Sequence, residues 1–362
     1  MAKRLSVVIS QSQSQNPAKR QLEEDIVAAL LFEPGIDVTI IPHLYDLKLD
    51  STGTLALHGI TGNVVVLSWL FERAARWTLD RQGIRGLAGL TLIKEESDEE
   101  EDEAQAAAEQ AEQKERVGDS REVPKRKIYC VDLRVHSQAK IYIDEVKRIA
   151  RENAAAVVSL DLGLAVGLNQ WIGGTPQPAQ LARYVDPTND TALDTTPNSA
   201  TQTVVRIEEE PGRRWYPVID YSRCTNCMEC IDFCLFGVYG VDKIETILVE
   251  QPDNCRKGCP ACSRVCPENA IIFPQHKTPS IAGSDLANAG GLKIDLSRLF
   301  GAPDTGETAE QAAVRERDEQ LLAAGRQAVG ASIGLPKRQE TKPDVPKDDL
   351  DKLIDGLDEL DL

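Results

Sequence analysis

The sequence predicts an α/β amino-terminal domain, mainly a parallel sheet with helices on both faces, followed by a small separate cysteine-rich domain. Three observations predict it. Between Leu5 and Leu160 short β-branched runs alternate with amphipathic segments, the grammar of strands joined by crossover helices. The runs are nearly continuous in apolar residues, as strands covered on both faces require. Eight of the nine cysteines fall between Cys224 and Cys266, so their chemistry belongs to a segment outside the alternating pattern. With 362 residues, 41% of them hydrophobic, the chain has material for two cores.

Taken in order, the predicted strands are Leu5 to Ile9, Asp37 to Ile41, Asn63 to Leu67, Leu90 to Ile93, Lys127 to Val131 and Ala156 to Leu160. The first helix is announced by Asn16 and Pro17, an N-cap followed by proline at the first helical position. Leu22, Ile26, Val27, Leu30 and Leu31 then recur at helical spacing until Pro34 and Gly35 stop it. Further helices are expected from about Trp69 to Arg81 and from about Gln138 to Asn153, the latter with Tyr142, Val146, Ile149 and Ala150 on one face.

The acidic, Ala/Gln-rich stretch at about 95–122 has almost no large apolar residues, so it is read as a disordered or solvated insertion within this domain, which spans 1–172. Residues 173–203 are rich in Pro, Thr, Asn and Asp and read as a linker. The cysteine-rich domain occupies 204–277. From 278 to 362 a mostly disordered tail is expected, with one helix near Glu307 to Ala324 and a terminal amphipathic helix over Asp348 to Leu362.

The net charge is −17, which disfavours a general nucleic-acid partner. It is concentrated in two places: Glu95 to Glu103 has eight carboxylates in nine positions, and Asp348 to Leu362 has seven acids against Lys352. In the terminal segment Leu350, Leu353, Ile354, Leu357 and Leu360 form one apolar stripe, an acidic helix suited to docking on a partner. Leu5 to Ile9 is too short for a signal-peptide core, and no uncharged apolar stretch approaches a membrane span, so the expected location is the cytoplasm with the mature chain starting near Met1.

The cysteines read Cys224-x2-Cys227-x2-Cys230-x3-Cys234 and Cys255-x3-Cys259-x2-Cys262-x3-Cys266, followed by Pro267. In a reducing compartment such density points to metal ligation. The C-x2-C-x2-C turn wraps three thiolates around one cubane and carries the fourth cysteine to another cluster. One [4Fe-4S] cluster is therefore assigned to Cys224, Cys227, Cys230 and Cys266, and a second to Cys255, Cys259, Cys262 and Cys234. Zinc is the alternative for any single C-x2-C pair.

At these residues the sequence resembles the bacterial two-cluster ferredoxins, over about 215–275. The resemblance implies an α+β ferredoxin-like fold, two [4Fe-4S] clusters and single-electron transfer to a protein redox partner, an oxidoreductase or reductase. It also implies that Tyr216 to Asp220 pairs with Ala270 to Phe273, that Val238 to Gly240 and Thr246 to Glu250 form a hairpin, and that a short helix follows Cys266. Two departures stand out. Leu235 replaces the usual proline after Cys234, and the gap between Cys255 and Cys259 holds three residues instead of two. Gly258 eases that wider loop. If Cys255 did not ligate, the second site would hold only a three-iron cluster.

At the carboxyl ends of the predicted parallel strands lie Ser10 to Asn16, His43, Tyr45, Asp46, Ser68, Asp132, Arg134 and His136, where an α/β domain would hold a flavin, nucleotide or substrate. Neither G-x-G-x-x-G nor a P-loop lysine pattern is present, and a scaffold or docking domain is the other reading. Cys130, mid-strand, is read as a buried small hydrophobe, and no residue is assigned a catalytic role. The alternatives to a simple electron carrier are an oxidoreductase subunit and an interaction protein with structural or sensing clusters.

Overall fold

The computed structural model describes residues 4–93, 115–155, 204–209, 212–284 and 308–334. The chain forms two units: the described residues up to 93 with those from 123 to 213 make the first, and 115–122 join the residues after 213 in the second.

The first unit is a six-stranded, wholly parallel sheet in the order β4-β5-β3-β1-β2-β6. Its strands are β1 (Leu5–Ser10), β2 (Ile36–Ile41), β3 (Val64–Ser68), β4 (Leu87–Ala88), β5 (Lys127–Asp132) and β6 (Val205–Arg206). The register sets Val7 against Val38 and Val65, and Val65 against Tyr129. Side chains alternate between faces along each strand. On one face Val7, Ile9, Val38, Val65 and Tyr129 pack with Leu22, Ile26 and Leu30 of α1 (Pro17–Leu30) and with Tyr142, Val146 and Ile149 of α5 (Ala139–Ala155). Helix α3 (Glu72–Arg81) packs on β5, burying Ala74, Ala75 and Leu79. Asn16 caps α1 as the sequence indicates, its side chain accepting from the Ala18 amide at 3.0 Å. A helix α2 (Thr52–Gly59), capped by Ser51, follows β2 and was not legible in the sequence.

Several expectations are corrected. Leu90 to Ile93 is not a strand: Leu90 and Leu92 are 69% and 63% exposed, and the edge strand is Leu87–Ala88. Its flanking glycines decide this, because a Cβ at Gly86 would lie 2.5 Å from the Arg126 carbonyl oxygen and one at Gly89 would lie 2.3 Å from the Tyr129 ring. Residues 204–206 were expected in the cysteine domain, yet Val205–Arg206 adds a parallel edge strand beside β2. Two exposed residues carry no periodicity, so only the tertiary pairing reveals them. The acidic insertion was expected to run disordered to 122, but α4 (Val117–Ser120) belongs to the second unit, with Val117 in its core and its amide donating to the Cys224 carbonyl at 2.8 Å.

The second unit has two small antiparallel pairs, β7 (Val218–Ile219) with β10 (Ile271–Ile272) and β8 (Tyr239–Val241) with β9 (Ile247–Val249). The first pair lies within the stretches that the resemblance implies, and the second matches them except that β8 begins at Tyr239 and extends to Val241, one residue past Gly240. Helices α6 (Glu229–Phe233) and α7 (Ala261–Val265) each precede the last cysteine of a group, whereas residues 267–269 after Cys266 form a turn. That corrects the expected helix after Cys266. The tail is not wholly without structure. Helix α8 (Pro279–Ala282) buries Ile281, and α9 (Ala309–Ala323), the helix expected near 307–324, packs on α7. The predicted strand 156–160, the linker 173–203, most of the acidic insertion and the terminal helix 348–362 lie outside the described residues. Among the described residues no helix is long and apolar enough to cross a membrane.

Candidate metal centres

Local backbone geometry makes the cysteine turns possible. Asn226 and Met228 adopt left-handed φ values of 59° and 63°, which curl the chain between Cys224 and Cys230. Asn226 suits this conformation and pins the turn to β9, donating to the Glu245 carbonyl at 2.8 Å and accepting from the Ile247 amide at 2.9 Å. In the wider gap of the second group, Gly258 has φ +87° with open space where a Cβ would stand. Its glycine is therefore required by conformation and not by crowding.

The eight thiols gather in two concavities. Cys224, Cys227, Cys230 and Cys266 line a space of about 380 Å³ with Ile219, Ile247 and Ile271 in its walls. Cys234, Cys255, Cys259 and Cys262 line one of about 320 Å³, walled by Phe233, Phe236 and Val238. Each concavity thus takes three cysteines from one spacing group and the last cysteine of the other. The crossing follows from α6 and α7, which place Cys230 and Cys262 at one end and Cys234 and Cys266 at the other.

Burial pushes these thiols up, Cys224 and Cys259 to about 11 and Cys230 and Cys262 well above the usual range, each reinforced by neighbouring thiols of its own set. Cys255 is raised for the same reasons, by burial and by Cys259 and Cys234. A protein pocket this dry holds thiolates only when a cation compensates them. Hydrogen bonds aim at the sulfurs: the Ala270 amide donates to Cys266 Sγ at 3.2 Å, and the Tyr239 hydroxyl to Cys262 Sγ at 3.1 Å. Trp215 stacks on Phe273, ring centroids 5.2 Å apart, and donates to the Cys259 carbonyl at 3.2 Å.

The donor sets fit iron-sulfur clusters. All eight donors are soft sulfur, and each set of four lines one common space. Among the described residues no three His, Cys, Asp or Glu side chains come together as a site for a single ion; four thiolates around one zinc would sit only about 3.8 Å apart, from a Zn–S bond of about 2.3 Å.

In the first unit the polar residues at the strand ends mostly serve one another. The Ser12 amide and the Trp69 indole N–H both donate to Glu23 Oε1, at 2.6 and 2.8 Å, and burial raises this carboxyl. Glu23 was missed in the sequence because it sits among polar neighbours of α1, and only the fold of the loop over it shows its burial. Gln13 donates to Asp46 beside His43, whose ring burial pushes down to about 4. Ser10 Oγ accepts from the Leu44 amide at 2.8 Å, and Tyr45 is wholly buried. Asp132 accepts a bidentate contact from Arg134, and the backbone of His136 brackets the Tyr142 hydroxyl at 2.8 and 3.0 Å. Ser68 is fully buried at the end of β3, and Cys130 is buried in β5 with its thiol pushed up to about 12, an inert position.

Known proteins share part of this chain. An uncharacterised ferredoxin of Methanocaldococcus jannaschii is 48% identical over 77 residues, which are 20% of this chain and 52% of that protein. Pyruvate synthase subunit PorD of the same organism is 33% identical over 79 residues, 19% of this chain and 90% of the subunit. Ferredoxin-3 of a Nostoc species is 33% identical over 79 residues, 16% of this chain and 80% of that protein. The chain spans about half the length of the first of these relatives. No protein-family model and no solved structure matches the chain. Through the segment shared with these proteins, the chain belongs to the ferredoxin family.

Proposed function

We propose that this chain is an iron-sulfur electron-transfer protein whose second unit carries two [4Fe-4S] clusters and passes single electrons to an oxidoreductase partner. The observation that carries the reading is the gathering of the eight cysteines into two sets of four, each completed by the last cysteine of the other spacing group. Cys224, Cys227, Cys230 and Cys266 would hold one cluster, and Cys234, Cys255, Cys259 and Cys262 the other. A cluster with four cysteine ligands supplies one-electron chemistry without an open iron position.

The chain's own residues then set the conditions. Ile219, Ile247 and Ile271 on one site, and Phe233, Phe236 and Val238 on the other, keep water from the sulfurs. Tyr239 and the Ala270 amide hold individual sulfurs in place. The kinship with a pyruvate synthase subunit favours an oxidoreductase as partner. The acidic segment 348–362, outside the described residues, is the proposed docking element, and truncation after Lys347 should weaken partner binding and its salt dependence.

Anaerobic purification tests the reading: about eight iron and eight acid-labile sulfides per chain are expected. Zinc without sulfide would overturn it.

A further inference from the structure

The two thiol sets differ in the charge around them. Glu229 and Glu268 line the first site, whereas Arg256 and Arg317 line the second. Arg256 is exposed, with its guanidinium 5.5 Å over the Phe236 ring. Arg317 is only 1% exposed and comes from α9, an appended helix more than 50 positions beyond Cys266 in the sequence.

We infer that Arg317 makes the site of Cys234, Cys255, Cys259 and Cys262 the higher-potential of the two, so that the first electron to enter the protein resides there. The inference rests on the two-cluster reading. The step adds one electron from a low-potential one-electron donor; no bond breaks and no proton is taken up, so one negative charge appears at the site.

A fixed cation stabilises that charge most when it is desolvated and needs no rearrangement. Arg317 meets both conditions. Its Nη1 donates to the Ile333 carbonyl at 2.8 Å, its Nη2 to the Gly330 carbonyl at 2.7 Å and its Nε to Asp318 Oδ1 at 3.2 Å. The guanidinium lies 4.5 Å over the Phe233 ring. Gly334, at φ +75°, closes the chain around it, since a Cβ there would meet Arg317 Nη1 at 3.2 Å and the Asp232 carbonyl oxygen at 2.9 Å.

An arginine cannot shed its charge on burial. Asp318 offsets it in part, but Asp318 is not in the wall of the thiol concavity and its other oxygen accepts the Gly330 amide. The nearby Glu316 is engaged by Arg264 at 3.0 Å. Arg317 therefore stands in the wall of the second site and Asp318 does not, while Glu229 and Glu268 stand in the wall of the first.

The test is an EPR-monitored redox titration of the full-length, iron-loaded protein with dithionite as donor. Arg317→Gln should lower the upper of two potentials by about tenfold in the one-electron equilibrium, which is about 59 mV, and leave the lower in place. Arg317→Lys should recover most of the shift. Glu268→Gln should raise the lower potential and leave the upper. Arg317→Gln with full iron content and an unmoved upper potential would overturn the inference. So would a Glu268→Gln variant that moves the upper potential, a result obtainable even if Arg317→Gln does not fold. Wild-type protein with fewer than eight irons would instead overturn the two-cluster reading.

Discussion

Tyr239 donates its buried hydroxyl to the sulfur of Cys262 at 3.1 Å. The ring is 6% exposed and stands on β8, a strand remote in sequence from the cysteine it serves. Hydrogen bonds to cluster sulfurs are a protein's means of stabilising the reduced state. Tyr239→Phe should lower the potential of the second site and cost about 1 kcal/mol of stability. Redox titration and denaturant unfolding of the iron-loaded protein check the two parts separately.

Replacement of the last cysteines should act across the sequence groups. Cys266→Ala is expected to damage the site of Cys224, Cys227 and Cys230, and Cys234→Ala the site of Cys255, Cys259 and Cys262, because each lines the other group's concavity. Iron content with EPR of each variant decides it. Damage confined to the variant's own group would reverse the assignment.

Gly258 holds the three-residue gap open at φ +87°. An alanine there has room but the wrong backbone preference, at a cost of about 1–2 kcal/mol. Gly258→Ala should therefore loosen Cys255 before any other ligand, giving a three-iron signal from the second site. An EPR spectrum identical to that of the wild type would show that the loop tolerates the strain.

His43 should make the first unit sensitive to acid. Burial pushes its ring down to about 4, with Lys19 and Arg213 acting in the same sense and Asp46 opposing. The unfolded chain binds this proton near pH 6.5, so between about 6.5 and 4 the unfolded state holds more protons than the folded one. Stability is thus fully present above about pH 6.5 and is lost as pH falls toward 4. Unfolding of wild type and His43→Gln at pH 7 and 5 should show a smaller acid loss in the variant.

The acidic insertion divides at its carboxyl end. Deleting 95–112 with a short Gly/Ser closure should leave iron content unchanged, since loop length contributes little to folding free energy. Val117→Asp should fail where that deletion succeeds, costing several kcal/mol, because Val117 is buried in the second unit's core. Equal behaviour of the two would mean that α4 is dispensable.

Within each cysteine group the gathering of three thiols was legible because it is local: Cys224 to Cys230 spans seven residues and Cys255 to Cys262 eight, so short turns bring them together. Whether Cys234 and Cys266 complete the opposite sets as ligands is what the cysteine replacements test. The parallel strands β1, β2, β3 and β5 were legible for the same reason, since burial on both faces is written as continuous apolar runs.

The remainder depended on contacts between distant parts of the chain. Val205–Arg206 becomes a strand only because β2 offers a free edge, and Leu87–Ala88 replaces Leu90 to Ile93 because Gly86 and Gly89 allow close approach to β5. Val117 stands alone in a polar stretch, so no periodicity marks its burial. Arg317 reads as one more charge on an Ala- and Glu-rich helix. Its burial arises only when the carbonyls of Gly330 and Ile333 turn to receive it and α9 packs on α7. Composition and spacing determine which donors the protein owns, while the charge those donors face is decided by which distant segment folds over them.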